Sequence, residues 1–229
     1  MREFMREWSP DAAFSGASFT AWLSMMAPEI AAAYVLSAQT AERYYAALRA
    51  AEGVPGTAAH VHVPSPSPAV LVERLITQGP AYAAGLVESG LSEDEAEKLV
   101  MRQLVMAVTK EVLAGGRDGL AASMDADPRA LGWQRVPSGK CCAFCAMLAS
   151  RGPSYGSARS AGDGRRWHPG CRCSVEPVFS RRSALPAASK RYARVWDEVG
   201  TGDLNSFRRR LERPEVYARK RADGERADP

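Results

Sequence analysis

All five cysteines of the chain lie between positions 141 and 173, in two short clusters. The first cluster includes Cys142 and Cys145, and the second contains His168, Cys171 and Cys173. Two thiolates separated by two residues can bind one tetrahedral ion from a tight turn, and His168 and Cys171 repeat that spacing. The sequence therefore predicts a structural zinc site built from these five residues, in which Cys171 and Cys173 compete for the fourth position.

The segment that joins the two cysteine clusters has the composition of a returning loop. It places 22 residues between Cys145 and His168, somewhat more than a usual zinc-finger loop, but four glycines and a proline let it turn back. Basic side chains in and around it would favour thiolates by lowering their pKa; they are Lys140, Arg151, Arg165, Arg166 and Arg172. A unit with so few apolar residues needs an additional stabilising crosslink, which bound zinc would provide.

Two other uses of the cysteines stay open. Disulfides require an oxidising compartment, and the N-terminal residues 1–8 lack the apolar stretch of a secretory signal, although a particle released from the cell could oxidise later. A nucleophilic cysteine could use His168 as its base, but nothing in the sequence selects one cysteine of five. A catalytic zinc is disfavoured, because no His-Glu-x-x-His helix is present and four protein ligands leave no open position.

The residues ahead of the clusters are predicted to be mainly helical. Trp22, Met26 and Ile30 recur every fourth residue, which predicts one long helix, or two joined near Pro28, over 17–51. Pro28 and Glu29 also lie inside the apolar stretch 19–38, and a carboxylate there favours a buried or partner-facing helix over a membrane span. We therefore expect a soluble chain made in a cytoplasm, with no membrane partner.

An uncharged, proline-rich connector is predicted over 53–68. It contains His60 and His62, whose spacing places both rings on one side of an extended segment. A metal site there would need a third ligand, and none is near in the sequence. An exposed linker is the preferred interpretation.

Two further helices are expected before residue 127. One runs over 68–87 with an interruption near Gly79-Pro80. The next has a capping box, Ser92 followed by Glu95, and an apolar stripe that we expect to face the core until Gly115-Gly116.

After Asp127-Pro128 the helical periodicity gives way to short apolar pieces over 131–136 and 175–179, which predict strands. The predicted class is α+β in three parts. A mostly helical N-terminal region covers 1–127, a small loop-rich, β-containing Cys/His unit covers 128–179, and a short helical basic segment covers 180–229. The last part is expected to be mobile after about residue 213 because it lacks apolar anchors.

The net charge of +4 conceals a division along the chain. Residues 1–127 carry 9 Lys/Arg against 16 Asp/Glu (net −7), residues 128–179 carry 8 against 2 (net +6), and residues 180–229 carry 13 against 8 (net +5). A basic tail can bind packaged DNA through phosphates without sequence preference. The candidate DNA contacts are Arg181, Arg182, Lys190, Arg191, Arg208, Arg209 and Arg210. The alternative for 186–212 is a solvated pair of short helices whose aromatic residues turn inward.

The cysteine region resembles the signature of the Mu F-like (MuF) phage head morphogenesis proteins, in particular the actinobacteriophage branch. The resemblance covers about 50 residues and rests on five elements in order. These are Trp133-Gln-Arg-Val, Cys142-Ala-Phe-Cys145 running on to Arg151-Gly152, Tyr155, Trp167-His-Pro-Gly-Cys-Arg-Cys173, and Pro177-Val-Phe179. Its signature positions correspond to Cys142, Cys145, His168, Cys171 and Cys173, which leaves Cys141 outside the expected ligand set.

The resemblance implies a minor capsid protein, located in the phage head and in the host cytoplasm during assembly. Its expected partners are the portal and the major capsid or scaffold protein, and the acidic N-terminal part would dock through Trp22, Met25, Met26 and Tyr34. Two alternatives remain, a capsid maturation protease and a zinc-stapled nucleic-acid-binding module. We lean towards a chain that is not an enzyme and assign no catalytic residue, because the three histidines lie in the connector and the cysteine cluster.

Overall fold

In the computed structural model, described residues are 13–137, 141–153, 167, 170–171, 173–180, 183, 185–199 and 203–212. The chain divides into two compact units. The first is Met1–Ala126 with Asp163–Gly170, and the second is Asp127–Gly162 with Cys171–Pro229. The described residues form eight α-helical and 3-10 segments and one two-stranded sheet, so the predicted α+β class with a helical N-terminal region is confirmed.

The first unit begins with a long helix, α1, over Gly16–Ala51. The Ser15 hydroxyl caps its N-terminus by accepting the Ser18 N–H, and Pro28 lies inside it, so the single-helix form of the prediction is confirmed. By length and composition α1 could cross a membrane, as some core helices of soluble proteins could. One face of it, with Phe19, Trp22 and Leu23, is buried in the core of this unit.

Arg49 organises the start of the proline-rich connector that follows α1. This arginine is buried, and its guanidinium donates hydrogen bonds to the carbonyls of Val54, Pro55 and Gly56. The arrangement satisfies backbone acceptors just beyond the end of the helix, where no helical donor remains for them. The connector is therefore fixed at its first turn by a side chain from α1.

Two short helices follow the connector, with the predicted interruption between them. Helix α2 covers Pro68–Leu75, a 3-10 turn covers Ile76–Gln78, and helix α3 covers Pro80–Glu88. Gly79 lies between the 3-10 turn and α3, and its backbone passes the Phe19 ring, where a Cβ would lie 2.4 Å from a ring carbon. Leu71 and Leu75 of α2 join the core cluster.

Helix α4 covers Glu93–Asp125 and carries the predicted capping box at Ser92 and Glu95. The prediction that it ends at Gly115-Gly116 is wrong, because α4 continues for two more turns and beyond. These glycines serve close packing instead of helix termination. A Cβ at Gly115 would lie 2.1 Å from the Tyr34 carbonyl oxygen, and one at Gly119 would lie 2.6 Å from the Ala38 carbonyl oxygen.

The second unit is built on an antiparallel pair of strands. Strand β1 covers Gly132–Val136 and strand β2 covers Ser174–Val178, with Gln134 opposite Glu176. Both strands were predicted within two residues of these ends. Helix α5, Ala143–Ser150, was missed, because Cys142 and Cys145 indicated a tight metal-binding turn and the helix spans only two turns.

Two basic helices complete this unit, α6 over Ala187–Val199 and α7 over Leu204–Glu212. They pack on α5 through Tyr192 and Phe207, which are almost fully buried, and Trp196 meets the edge of Phe207 with ring centroids 5.0 Å apart. The packing agrees with the alternative given for residues 186–212, a pair of short helices whose aromatic residues turn inward. The expectation of a mobile tail after residue 213 falls on positions outside the described residues.

Candidate metal centre

The cysteines of the second unit are placed by α5 and by the approach to β2. Cys142 is the N-cap of α5 and Cys145 lies in its first turn, while Cys171 and Cys173 lead directly into β2. Because β2 pairs with β1, the second cysteine cluster is held by backbone hydrogen bonds on one side. Packing of α5 against β1 and the basic helices holds the first cluster.

Three buried thiols meet at one point. The Sγ atoms of Cys145, Cys171 and Cys173 all lie within 4.8 Å of one another, and those of Cys145 and Cys171 are 3.6 Å apart. Sulfurs about 2.3 Å from a tetrahedral zinc ion lie about 3.8 Å from each other. The donor set and its spacing therefore fit a divalent metal that prefers sulfur, and all five cysteines of the chain are free thiols.

The thiols share protons with one another in this arrangement. The hydrogen bond between Cys141 and Cys173 lowers the pKa of Cys141 to about 6. The hydrogen bond between Cys145 and Cys171 raises the pKa of Cys145 to about 12. Hydrogen bonds to Cys141, Cys145 and Cys171 raise the pKa of Cys173. A metal ion would take the place of these shared protons, since cysteine binds metals as the thiolate.

The remaining predicted ligands, Cys142 and His168, do not belong to this group of three described thiols. The Cys142 thiol is exposed, and its Sγ accepts the backbone N–H of Cys145 at 3.5 Å, which makes it a helix cap. His168 lies outside the described residues. Cys141, which the resemblance leaves out, contacts the cluster through Cys173 and shares a 3.5 Å hydrogen bond with the Tyr192 hydroxyl.

Arg135 of β1 is a component of the site that the sequence analysis missed. Its side chain is 1% exposed, and its Nη1 lies 4.0 Å from the Cys145 Sγ. A guanidinium at this distance favours the thiolate form and balances the negative charge of a thiolate-bound metal. The available sequence signal is a charged residue in the middle of a short predicted strand. In the fold, its neighbours Trp133 and Gln134 are also buried.

The candidate DNA-binding residues lie on α6 and α7 where they are described. Lys190, Arg191, Arg208 and Arg209 are exposed, whereas Arg210 is partly buried and pairs with Glu198 at 3.0 Å. Arg209 contacts Ser206 and Asp203. Arg181 and Arg182 lie outside the described residues.

Most of the residues expected to dock a protein partner are core residues. Trp22, Met26 and Tyr34 are at most 9% exposed, because they lie on the face of α1 that packs within the first unit. Met25 is 57% exposed and Leu36 is 62% exposed, on the other side of the helix. In the connector, the exposed His60 ring contacts the Glu42 carboxylate.

A polar cavity of about 680 Å³ lies in the first unit. Two pairs of charged or polar groups line it, with the Tyr34 hydroxyl donating to Asp118 at 2.6 Å and Arg74 pairing with Glu111 at 2.9 Å. Burial is the main reason that the pKa of Asp118 is raised, although the Tyr34 hydrogen bond opposes it. The cavity is also lined by Pro64, Ser65, Pro66, Val70, Lys110, Ala114, Arg117 and Trp167.

Comparison with known proteins places the chain among phage proteins. It is 32% identical over 144 residues to the Gene 15 protein of Mycobacterium phage D29, an alignment that covers 48% of this chain and 52% of the relative. It is 27% identical over 185 residues to the Gene 15 protein of Mycobacterium phage L5, covering 55% of this chain and 63% of the relative.

The chain thus matches between about half and somewhat under two thirds of the length of these relatives. No solved structure matches it. The family model described as VG15 protein matches residues 1–199, which include the helical unit, the cysteine cluster and α6. The chain therefore belongs to the VG15 protein family of phage proteins.

Proposed function

We propose that this protein is a minor structural protein of the phage head that links the portal or the capsid shell to packaged DNA during head assembly. The observation that carries the proposal is the set of exposed cations on α6 and α7. Lys190, Arg194 and Arg208 are exposed and make no side-chain hydrogen bond or ion pair with another described residue. Such cations are available to phosphates.

The burial of the aromatic residues defines what kind of DNA contact this surface supports. Tyr192 and Phe207 are 3% and 0% exposed, so they cannot stack on bases without unpacking the unit. Contact through the exposed cations alone would be electrostatic and independent of sequence. That property suits a protein that meets packaged DNA of any sequence.

Zinc has a structural role in this proposal. Cys145, Cys171 and Cys173 would hold the ion and thereby join α5 to the strand β2. A bound structural zinc stabilises a small domain because the unfolded chain has no preformed site. The ion would keep in place the helix on which α6 and α7 pack.

Docking to the portal, capsid or scaffold protein is assigned to the outer face of α1. Met25 and Leu36 are 57% and 62% exposed and lie about 20° apart around the helix axis, at 100° per residue. Replacing Leu36 by Glu should reduce incorporation into heads, whereas Gln39→Glu at an exposed polar position should leave it unchanged. Equal incorporation of both variants would contradict this assignment.

The DNA contact can be tested by the salt dependence of binding. In a variant with Lys190, Arg194 and Arg208 all changed to Ala, the plot of log K against log salt should become flatter by about 2 to 3, since each phosphate contact contributes about 0.9. The control changes the exposed Arg43, Lys98 and Arg102 of the first unit to Ala and removes the same charge. An equal effect in both variants would show that DNA binding depends only on the net charge of the protein, and would contradict a contact surface on α6 and α7.

The protease alternative makes a separate prediction. Purified protein incubated with its scaffold and capsid proteins should leave both intact if its role is structural. Specific cleavage that is lost when one Ser or His is replaced would overturn the structural proposal in favour of the maturation protease.

A further inference from the structure

The polar cavity of the first unit is lined by more cations than carboxyl groups, and all of its lining residues belong to that unit. Helix α4 supplies five of them, whose spacing places them on one face of the helix. They are Lys110, Glu111, Ala114, Arg117 and Asp118. With Arg74 from α2, three cations face two carboxyl groups.

The contacts among these groups leave one cation over. Arg74 pairs with Glu111 at 2.9 Å, and the Asp118 carboxylate accepts the Tyr34 hydroxyl at 2.6 Å. Lys110 is half-buried and makes no hydrogen bond or ion pair with another residue in the described part of the chain. Its ammonium group is therefore available to an anion that enters the cavity.

We propose that this cavity binds an acidic peptide segment of a partner protein, with a carboxylate side chain of the segment paired to Lys110. The site is a second protein contact besides the one assigned to the outer face of α1. It lies in a different part of the first unit and does not depend on that assignment.

The charge of the cavity favours a carboxylate over a phosphate or DNA. Three cations and two carboxylates leave a single positive charge, which one carboxylate neutralises and a doubly charged phosphate exceeds. Residues 1–127 carry 9 Lys/Arg against 16 Asp/Glu, so the surrounding net charge of −7 repels a polyanion. A single acidic side chain is the anion that this site suits.

The carboxyl groups and the size of the cavity favour a peptide as the carrier of that anion. Ionised Glu111 and Asp118 only accept hydrogen bonds, and a peptide has N–H donors on both sides of its acidic residue. The volume of about 680 Å³ lies within the range of about 300–1,000 Å³ that is usual for small ligands. The cavity therefore admits a short segment of chain and not a folded domain.

One wall of the cavity is already ordered for this role. The Arg117 guanidinium lies 3.9 Å from the centroid of the Trp167 ring, and the two residues are 6% and 3% exposed. A cation held against a ring face contributes positive potential without having to be ordered when the ligand binds.

Binding to the full-length protein is measured by NMR titration with two blocked, glycine-rich pentapeptides. One has glutamate at its centre and the other has glutamine, so they differ in charge and hardly in shape. The glutamate peptide should bind about tenfold or more tightly, the usual effect of a hydrogen bond between charged groups. Equal affinities, no binding of the glutamate peptide, or its displacement by inorganic phosphate at matched ionic strength would overturn the proposal.

Two variants of α4 locate the contact. Lys110→Met should abolish the preference for the glutamate peptide. Lys98→Met removes the same charge from the same helix at an exposed position outside the cavity, and should keep the preference. An equal loss in both variants would contradict a site at Lys110.

Carbodiimide crosslinking tests the contact in the wild-type chain, in case Lys110→Met does not fold. The reagent joins the peptide carboxylate to a lysine Nζ as an amide and takes up the water removed as a urea, with no oxidation or reduction. Mass spectrometry should find the glutamate peptide on Lys110 and far less on Lys98. Equal labelling of the two lysines would overturn the proposal, and would leave the α1 contact and the DNA contact unaffected.

Discussion

Gly115 of α4 lies so close to Tyr34 of α1 that an added Cβ would be 2.1 Å from the Tyr34 carbonyl oxygen. The obstacle is backbone, which cannot rotate away as a side chain could. Gly115→Ala should therefore force the two helices apart and destabilise the first unit by about 1–3 kcal/mol or more, the usual cost of overpacking. Urea unfolding followed by circular dichroism measures the change.

Gly85 of α3 provides the control for that substitution. An added Cβ there meets nothing within 4 Å, and the residue lies inside a helix. Gly85→Ala should leave stability unchanged or raise it by about 0.5–1 kcal/mol, since alanine has the higher helix propensity. If both variants unfold at the same urea concentration as wild type, the close helix contact is not needed for stability.

Removal of zinc should destabilise the second unit alone. The proposed ion joins α5 to β2, so excess EDTA should lower the unfolding temperature of this unit while the first unit, held by its own core, unfolds as before. Differential scanning calorimetry separates the two transitions. EDTA saturated beforehand with zinc is the control. An equal fall of the unfolding temperature in both units would contradict a stabilising zinc ion confined to the second unit.

Replacement of Arg135 tests the electrostatic support of the metal centre. Arg135→Met keeps much of the side-chain volume but removes the cation 4.0 Å from Cys145, and zinc affinity should fall by about 10–100-fold. Competition with a chromophoric chelator gives the affinity. Arg135→Lys should recover part of it, because the charge returns without the planar guanidinium, and failure of both to alter affinity would mean that Arg135 only fills space.

The Tyr34–Asp118 pair predicts how the stability of the first unit depends on pH. The pKa of Asp118 is raised in the folded protein, so the folded state binds its proton more tightly than the unfolded state does. Its contribution is fully present below the unfolded pKa of about 3.9 and is lost as pH rises through the folded pKa. Relative to Asp118→Asn, wild type should therefore lose stability as pH rises from about 4, measured by urea unfolding at several pH values.

Glu95 supplies the opposite slope in the same helix. Hydrogen bonds from Ser92 lower its pKa in the folded protein, so its contribution is present above the unfolded pKa and is lost as pH falls through the folded one. The stability difference between wild type and Glu95→Gln should shrink in acid. If the stability difference from wild type changes with pH in the same direction for Asp118→Asn and Glu95→Gln, one of these two pKa directions is incorrect.

The helices that the sequence predicts well are those with local signals. Ser92 and Glu95 define the start of α4 within four residues, and the four-residue recurrence of Trp22, Met26 and Ile30 defines α1. The pair of basic helices also follows from local spacing of apolar residues. These signals depend only on neighbours in the chain, so one sequence is enough to find them.

What the sequence does not predict depends on contacts between distant residues. Gly115 and Gly116 are strong stop signals for a helix, but Gly115 lies against α1, about 80 residues earlier, where only a glycine fits. In the same way, the grouping of Cys145 with Cys171 and Cys173 depends on the pairing of β1 with β2 and on the packing of α5 against β1. The spacing of the cysteines predicts a metal site, whereas the grouping of Cys145, Cys171 and Cys173 depends on the fold.

The close packing of α1 and α4 also determines where the family can vary in length. A one-residue insertion in either helix rotates everything beyond it by about 100°, which would turn Gly115 and Gly119 away from Tyr34 and Ala38. Connectors between helices accept added residues at little entropic cost. Insertions and deletions among relatives of this chain should therefore fall in the part of the 53–68 connector beyond Gly56, and be rare between residues 34 and 38 and between 115 and 119.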